Sequence, residues 1–131
     1  MARYEHLPIY KTAMDLSIYL QAAVRNISRY NKYSIGSELR DHSRHIISLI
    51  IRANSRREKR EALEELVENA EALKSLLVFS KEVKAFENFN TFKHSVVLAV
   101  SLCKQSEGWL KSSMKGTLCM DEGFGHEASP V

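Results

Sequence analysis

Between residues 9 and 115 the chain contains no proline and only two glycines, Gly36 and Gly108. A stretch of that length without turn-forming residues is compatible with long helices and with little else. The spacing of apolar residues then locates them. Positions 9, 13, 16, 20, 24 and 27 recur at three and four residues, one stripe of a helix expected over about 8–28, with Pro8 suited to its first turn. "SRYNKYSIG" interrupts the pattern, and a second helix is expected over 35–53 with apolar positions 35, 39, 46, 47, 49, 50 and 51. Ser55-Arg56-Arg57-Glu58 matches a capping box, in which the serine oxygen and the glutamate satisfy each other's free amides, so a third helix is expected over 55–83. "KAFENFN" reads as a turn, after which Asn90 or Thr91 caps a fourth helix over 91–115. From Gly116 onward the chain loses its period and carries three acidic residues and no basic one, so 116–131 is expected to be a disordered acidic tail.

Residues 1–115 therefore read as one all-α domain, an up-down-up-down four-helix bundle. At 131 residues the chain can bury a core without a metal or a disulfide. The second and fourth helices hold more apolar positions than one stripe needs: Ile46 to Ile51 crowd together, and Leu98, Leu102 and Trp109 lie off the stripe of Phe92, Val96 and Cys103. A broad core and a subunit interface both account for that surplus. The expectation is a homo-oligomer of closed cyclic symmetry.

Several classes of chemistry lack a carrier. Cys103 and Cys119 do not form a disulfide framework, and no secretory apolar segment opens the chain. The longest apolar run is too short to cross a bilayer, so a cytoplasmic protein with reduced thiols and no membrane partner is expected. A di-iron bundle needs glutamate three residues before histidine on facing helices, and that motif is absent. His42 and His45 beside Asp41 lack a second ligand pair, so no metal and no cofactor are expected. Without a nucleophile elbow or a glycine-rich phosphate loop, the chain reads as a non-enzyme.

Charge is where the sequence is informative. The net charge is only +3, yet residues 29–60 hold nine Arg and Lys against three acids, and 61–75 hold five Glu against one Lys. Arg40, Arg44 and Arg52 are expected to form a drifting row along the second helix, able to follow a phosphate backbone. Arg56 and Arg57 fall in the first turn of the third, where free amides already favour anions. Lys59 and Arg60 extend this block, and Lys111 and Lys115 add a pair at four residues near the end of the fourth helix. Three readings compete for these residues: nucleic-acid phosphate, a solvated face in which Lys59 and Arg60 pair with Glu64 or Glu65, and the glutamates of a neighbouring subunit. Tyr30 and Tyr33 flank Lys32 and fit either base stacking or the closing of a core end.

The order of "YNKYSIGSELRDHSRHIISLIIRANS", "ALEELVENAEALKSLLVFSKEV" and "SEGWLKSSMKG" resembles the accessory variability determinant proteins of diversity-generating retroelements. More remotely it is similar to the four-helix-bundle proteins encoded in intervening sequences of bacterial ribosomal RNA genes. The likeness covers about residues 8–115 and rests on Ile35-Gly36, Leu39-Arg40, Ala53-Asn54, the leucine-rich third helix and Gly108-Trp109-Leu110-Lys111. Arg52-Ala53-Asn54-Ser55 departs from the Asn-Ile-Ala-Glu-Gly type of ending found in the ribosomal relatives. The resemblance implies a pentamer of bundles, encoded by a bacterium or phage, that binds a reverse transcriptase, template RNA and the cDNA made from it. It supports mutagenic cDNA synthesis and has no polymerase chemistry of its own. The alternative is an oligomeric scaffold that contacts only protein, its basic block meeting glutamates of a neighbouring subunit.

Overall fold

The structure, a computed structural model, describes residues 4–55 and 59–121, with side chains as far as Met114. Four long helices carry the chain: α1 (Pro8–Ala23), α2 (Ser37–Asn54), α3 (Lys59–Glu82) and α4 (Phe89–Asp121). Among the described residues there is no strand. Each helix packs along two others, α1 against α2 and α4, and α3 against α2 and α4. Cross-helix contacts fix the register: Arg40 reaches Gln21 and Ser43 reaches Ser17, while Gln105 reaches Thr12 and the His94 ring stacks on Tyr19. The shared core takes Leu16 and Leu20 from α1, Leu39, Ile46, Leu49 and Ile50 from α2, Leu63, Leu66, Leu73 and Leu77 from α3, and Leu102 from α4. Each such leucine or isoleucine contributes about 1.5–3 kcal/mol by leaving water.

That packing explains the surplus of apolar positions on the second helix. Because α2 has neighbours on two sides, Ile46, Leu49 and Ile50 are buried together and Ile47 packs against the core. The same holds for Leu102 and Trp109 on α4. Of the surplus on α2 only Ile51 stays exposed, and the other apolar side chains left outside include Ile18 on α1, Val78 and Phe79 near the end of α3, and Phe89 and Val97 on α4.

The helix boundaries differ from those read off the sequence, each for a local reason. Pro8 does sit in the first turn of α1, which ends at Ala23, five residues early. A 3-10 turn over Val24–Asn26 and the extended Ile27 follow, letting both Val24 and Ile27 enter the core. "SRYNKYSIG" is then largely helical and not a break. Arg29–Asn31 form one helical turn and Lys32–Gly36 a π-helical one that runs into α2. Asn31 holds this entry by donating its side-chain amide to Ser28 Oγ at 3.1 Å. Gly36 is required here, because a Cβ on it would lie 2.8 Å from Val24 Cγ1. At the start of α4 the cap is Asn88, earlier than Asn90 or Thr91: its Oδ1 accepts from the Thr91 amide at 3.0 Å. Backbone helix continues past Gly116 to Asp121, so the first part of the expected disordered tail is an extension of α4. Residues 122–131 lie outside the described residues.

Between α3 and α4 the chain turns through Lys84, a non-glycine residue at φ 60°. The Ala85 amide bonds back to the Ser80 carbonyl and the Lys84 amide to the Lys81 carbonyl, a Schellman ending with Ala85 buried behind it. No helix among the described residues is long and apolar enough to cross a membrane.

Candidate nucleic-acid interface

The basic residues of α2 do not present one face. At about 100° per residue, the twelve positions from Arg40 to Arg52 turn the row through about 120°. Arg40 therefore leans toward α1, where Nη2 donates to the Gln21 carbonyl at 3.1 Å and Nε is enclosed without an acceptor. Arg52 leans toward α3 and pairs with Glu65 at 3.3 Å. Arg44, between them, is exposed and holds Asp41 at 2.7 Å. The expected row is a fan, split between two neighbouring helices.

α2 ends where the sequence places its end. The Ser55 hydroxyl donates to the Arg52 carbonyl at 2.8 Å and the Ser55 backbone turns extended. Arg56, Arg57 and the Glu58 half of the capping box lie outside the described residues, as does the side chain of Lys115. Beyond that corner, Arg60 is exposed and 3.4 Å from Glu64, one helical turn ahead. Lys59 turns the other way, its ammonium 5.9 Å from the centre of the Trp109 ring on α4. A lysine over an indole face is held by the ring's negative potential. That contact brings α4 to the corner, and with it exposed Lys111, two residues past Trp109. Arg52, Lys59, Arg60 and Lys111 thus gather near one end of the molecule, although sixty residues of sequence separate the first from the last.

The remaining titratable candidates are occupied structurally. His42 Nε2 donates to the Asn69 carbonyl at 3.0 Å, tying α2 to α3 and turning away from any shared ligand position with exposed His45. The described residues assemble no group of three His, Cys, Asp or Glu able to hold a metal. Cys103 is a free buried thiol whose pKa is pushed up to about 11, chiefly by burial and then by the nearby Glu71 carboxylate. It stays protonated at neutral pH, the opposite of what a nucleophilic cysteine needs. Glu71 itself titrates below its usual range because Lys74 donates to it at 2.8 Å. A cavity of about 50 Å³ between the start of α1 and Trp109 is far smaller than a ligand pocket of roughly 300 Å³ or more.

Two features escaped the sequence reading. Trp109, which the spacing puts off the main stripe of the fourth helix as surplus apolar surface, is buried in the bundle, and its service as a platform for Lys59 depends on a contact across fifty residues. Lys93 and Lys104 on α4 were passed over because they do not cluster in sequence, although their helical spacing with Lys111 was there to be read. Compared with family models, curated proteins and solved structures, the chain finds no match.

Proposed function

We propose that this chain is a non-catalytic accessory subunit of a diversity-generating retroelement. In this reading it is an up-down-up-down bundle, assembled as a cyclic oligomer, that binds the reverse transcriptase and its template RNA through a basic surface and so supports mutagenic cDNA synthesis. The resemblance over about residues 8–115 supplies the retroelement, the polymerase partner, the cDNA and the count of five subunits. The observation that carries the nucleic-acid part is the Lys59 contact with Trp109, which joins Arg52, Lys59 and Arg60 to Lys111 at one end. Opposed cross-helix registers, such as Arg40 with Gln21 against Ser43 with Ser17, support the alternating helix order.

Positive charges gathered in this way bind phosphates and set orientation without reading sequence. RNA affinity should fall with salt at a log-log slope of about −0.7 per single-strand phosphate contact. Charge reversal by Lys59→Glu with Arg60→Glu, and separately by Arg56→Glu with Arg57→Glu, should weaken binding and flatten that slope in a filter-binding titration. RNA binding that is absent at low salt, or indifferent to both pairs, would remove the basis of the proposal.

One observation weighs against the nucleic-acid reading and favours a solvated face. Arg44, Arg52 and Arg60 already pair with Asp41, Glu65 and Glu64 of their own chain, so part of the block is neutralised before any phosphate arrives. Under the alternative, a scaffold whose basic block meets glutamates of a neighbouring subunit, the same reversals should dissociate the oligomer in sizing measurements while RNA binding stays negligible.

A further inference from the structure

The outward surfaces of α3 and α4 carry matched rows. On α4, Lys93, Lys104 and Lys111 recur at eleven and seven residues, which returns them to within about 20° of one line. All three are exposed and none makes an ion pair among the described residues. On α3, counting back from Glu82, exposed Glu71 and Glu64 recur at the same eleven and seven. Val97 follows Lys93 by four residues and Val78 precedes Glu82 by four, and these valines are 59% and 40% exposed. Lys81 lies 5.0 Å from the Phe92 ring and Lys59 5.9 Å from Trp109, so falling numbers on α3 come level with rising numbers on α4. Lysine, valine, lysine, lysine on one helix therefore stand at about the heights of glutamate, valine, glutamate, glutamate on the other.

Gly108 supplies an independent sign. It interrupts the middle of α4, where glycine is unfavourable. Nothing among the described residues requires it, since a Cβ there would meet none of their atoms within 4 Å. It lies on the lysine side of α4, four residues past Lys104, and four residues before Glu71 stands half-exposed Val67. A glycine without an internal reason on an exposed helix face fits the close approach of something outside the chain.

We propose that this something is a second copy of the same chain, docked on the α3–α4 face with the lysine row of one copy against the glutamate row of the other. A rotation axis parallel to the helices preserves heights. Lys93 then meets Glu82, Val97 meets Val78, Lys104 meets Glu71, and Val67 enters the notch at Gly108. The glutamates have partners already, Arg60, Lys74 and Lys81 of their own chain, but these are exposed pairs that exchange readily. The lysines have none, so each glutamate would be shared between the cation of its own chain and the incoming lysine, and exposed Glu107, three residues past Lys104, is the one carboxylate on that side of α4 among the described residues. This inference deepens the self-association in the proposed function and uses no part of its nucleic-acid reading.

Sedimentation equilibrium of the full chain tests it. Lys93→Glu with Lys104→Glu should weaken association at least tenfold, and so should Glu71→Lys with Glu82→Lys. An equimolar mixture of the two variants should recover association, because each then offers the complement of the other. Gly108→Trp, which meets open space within the chain, should keep the helical circular dichroism of the parent and lose assembly. A parent chain that is monomeric at every concentration overturns this inference and the self-association reading together. An assembly whose size ignores all of these variants overturns only the surface assigned here.

Discussion

Helices α2 and α4 make an instructive pair, since each has three spaced Arg or Lys among the residues whose side chains are described, and each has, within it or just before it, a glycine that the apolar pattern does not explain. On the α2 side both features answer to neighbours inside the molecule. Gly36 makes room for Val24, and Arg40 and Arg52 turn to α1 and α3. On α4 neither does: Gly108 meets open space and Lys93, Lys104 and Lys111 stand unpaired among the described residues. The difference is one of helical arithmetic. Steps of four and eight fan a row around the helix, whereas steps of eleven and seven bring it back to one line. Density of charge in the sequence points to α2, and alignment in space points to α4.

Substitutions measured by denaturant unfolding, at concentrations where the chain is monomeric, can break or sharpen that contrast. Core against surface gives the largest effect: Ile46→Ala on α2 should cost about 2–5 kcal/mol, while Val97→Ala on α4 should stay within about 0.5 kcal/mol. A comparable loss at Val97 would mean that α4's outer face is not free. The two glycines come next and should differ in sign. Gly36→Ala forces a methyl against Val24 and should destabilise by about 1–3 kcal/mol. Gly108→Ala should stabilise by up to about 1 kcal/mol through helix propensity alone. Smaller again, Arg52→Ala removes a half-exposed pair with Glu65 and should cost about 0.2–1 kcal/mol, with Lys104→Ala near zero.

The last effect shows only at alkaline pH. Because the folded state raises the Cys103 thiol from 9.0 to about 11, the native chain holds that proton more tightly than the unfolded one. The stability this lends is complete below pH 9 and is lost as pH climbs toward 11. Cys103→Ser should flatten that part of a stability-against-pH curve, and an unchanged curve would show that the thiol is not sheltered.

Much of the helical layout was legible because three-and-four spacing survives whatever the helices later pack against. Leu63, Leu66, Leu73 and Leu77 are all fully buried, as their stripe requires. Boundaries were less legible, since they depend on single hydrogen bonds. Asn88 caps α4 although Asn90 and Thr91 look equally able, and Asn31 with Ser28 keeps "SRYNKYSIG" helical where the pattern of apolar residues fails. For the candidate site, charge density found Lys59 and Arg60 but could not say that one would turn to Trp109 and the other to Glu64.

The sequence by itself determined that this chain is helical, where its long apolar stripes lie and which segments are rich in each charge, because propensity and periodicity act between residues a few positions apart. Only the tertiary structure decided which positive side chains are taken and which are left over. That outcome depends on what α1 and α3 present to α2, and on what lies beside α4, across separations that run from the 19 residues between Gln21 and Arg40 to the 93 between Thr12 and Gln105 and that no local pattern encodes.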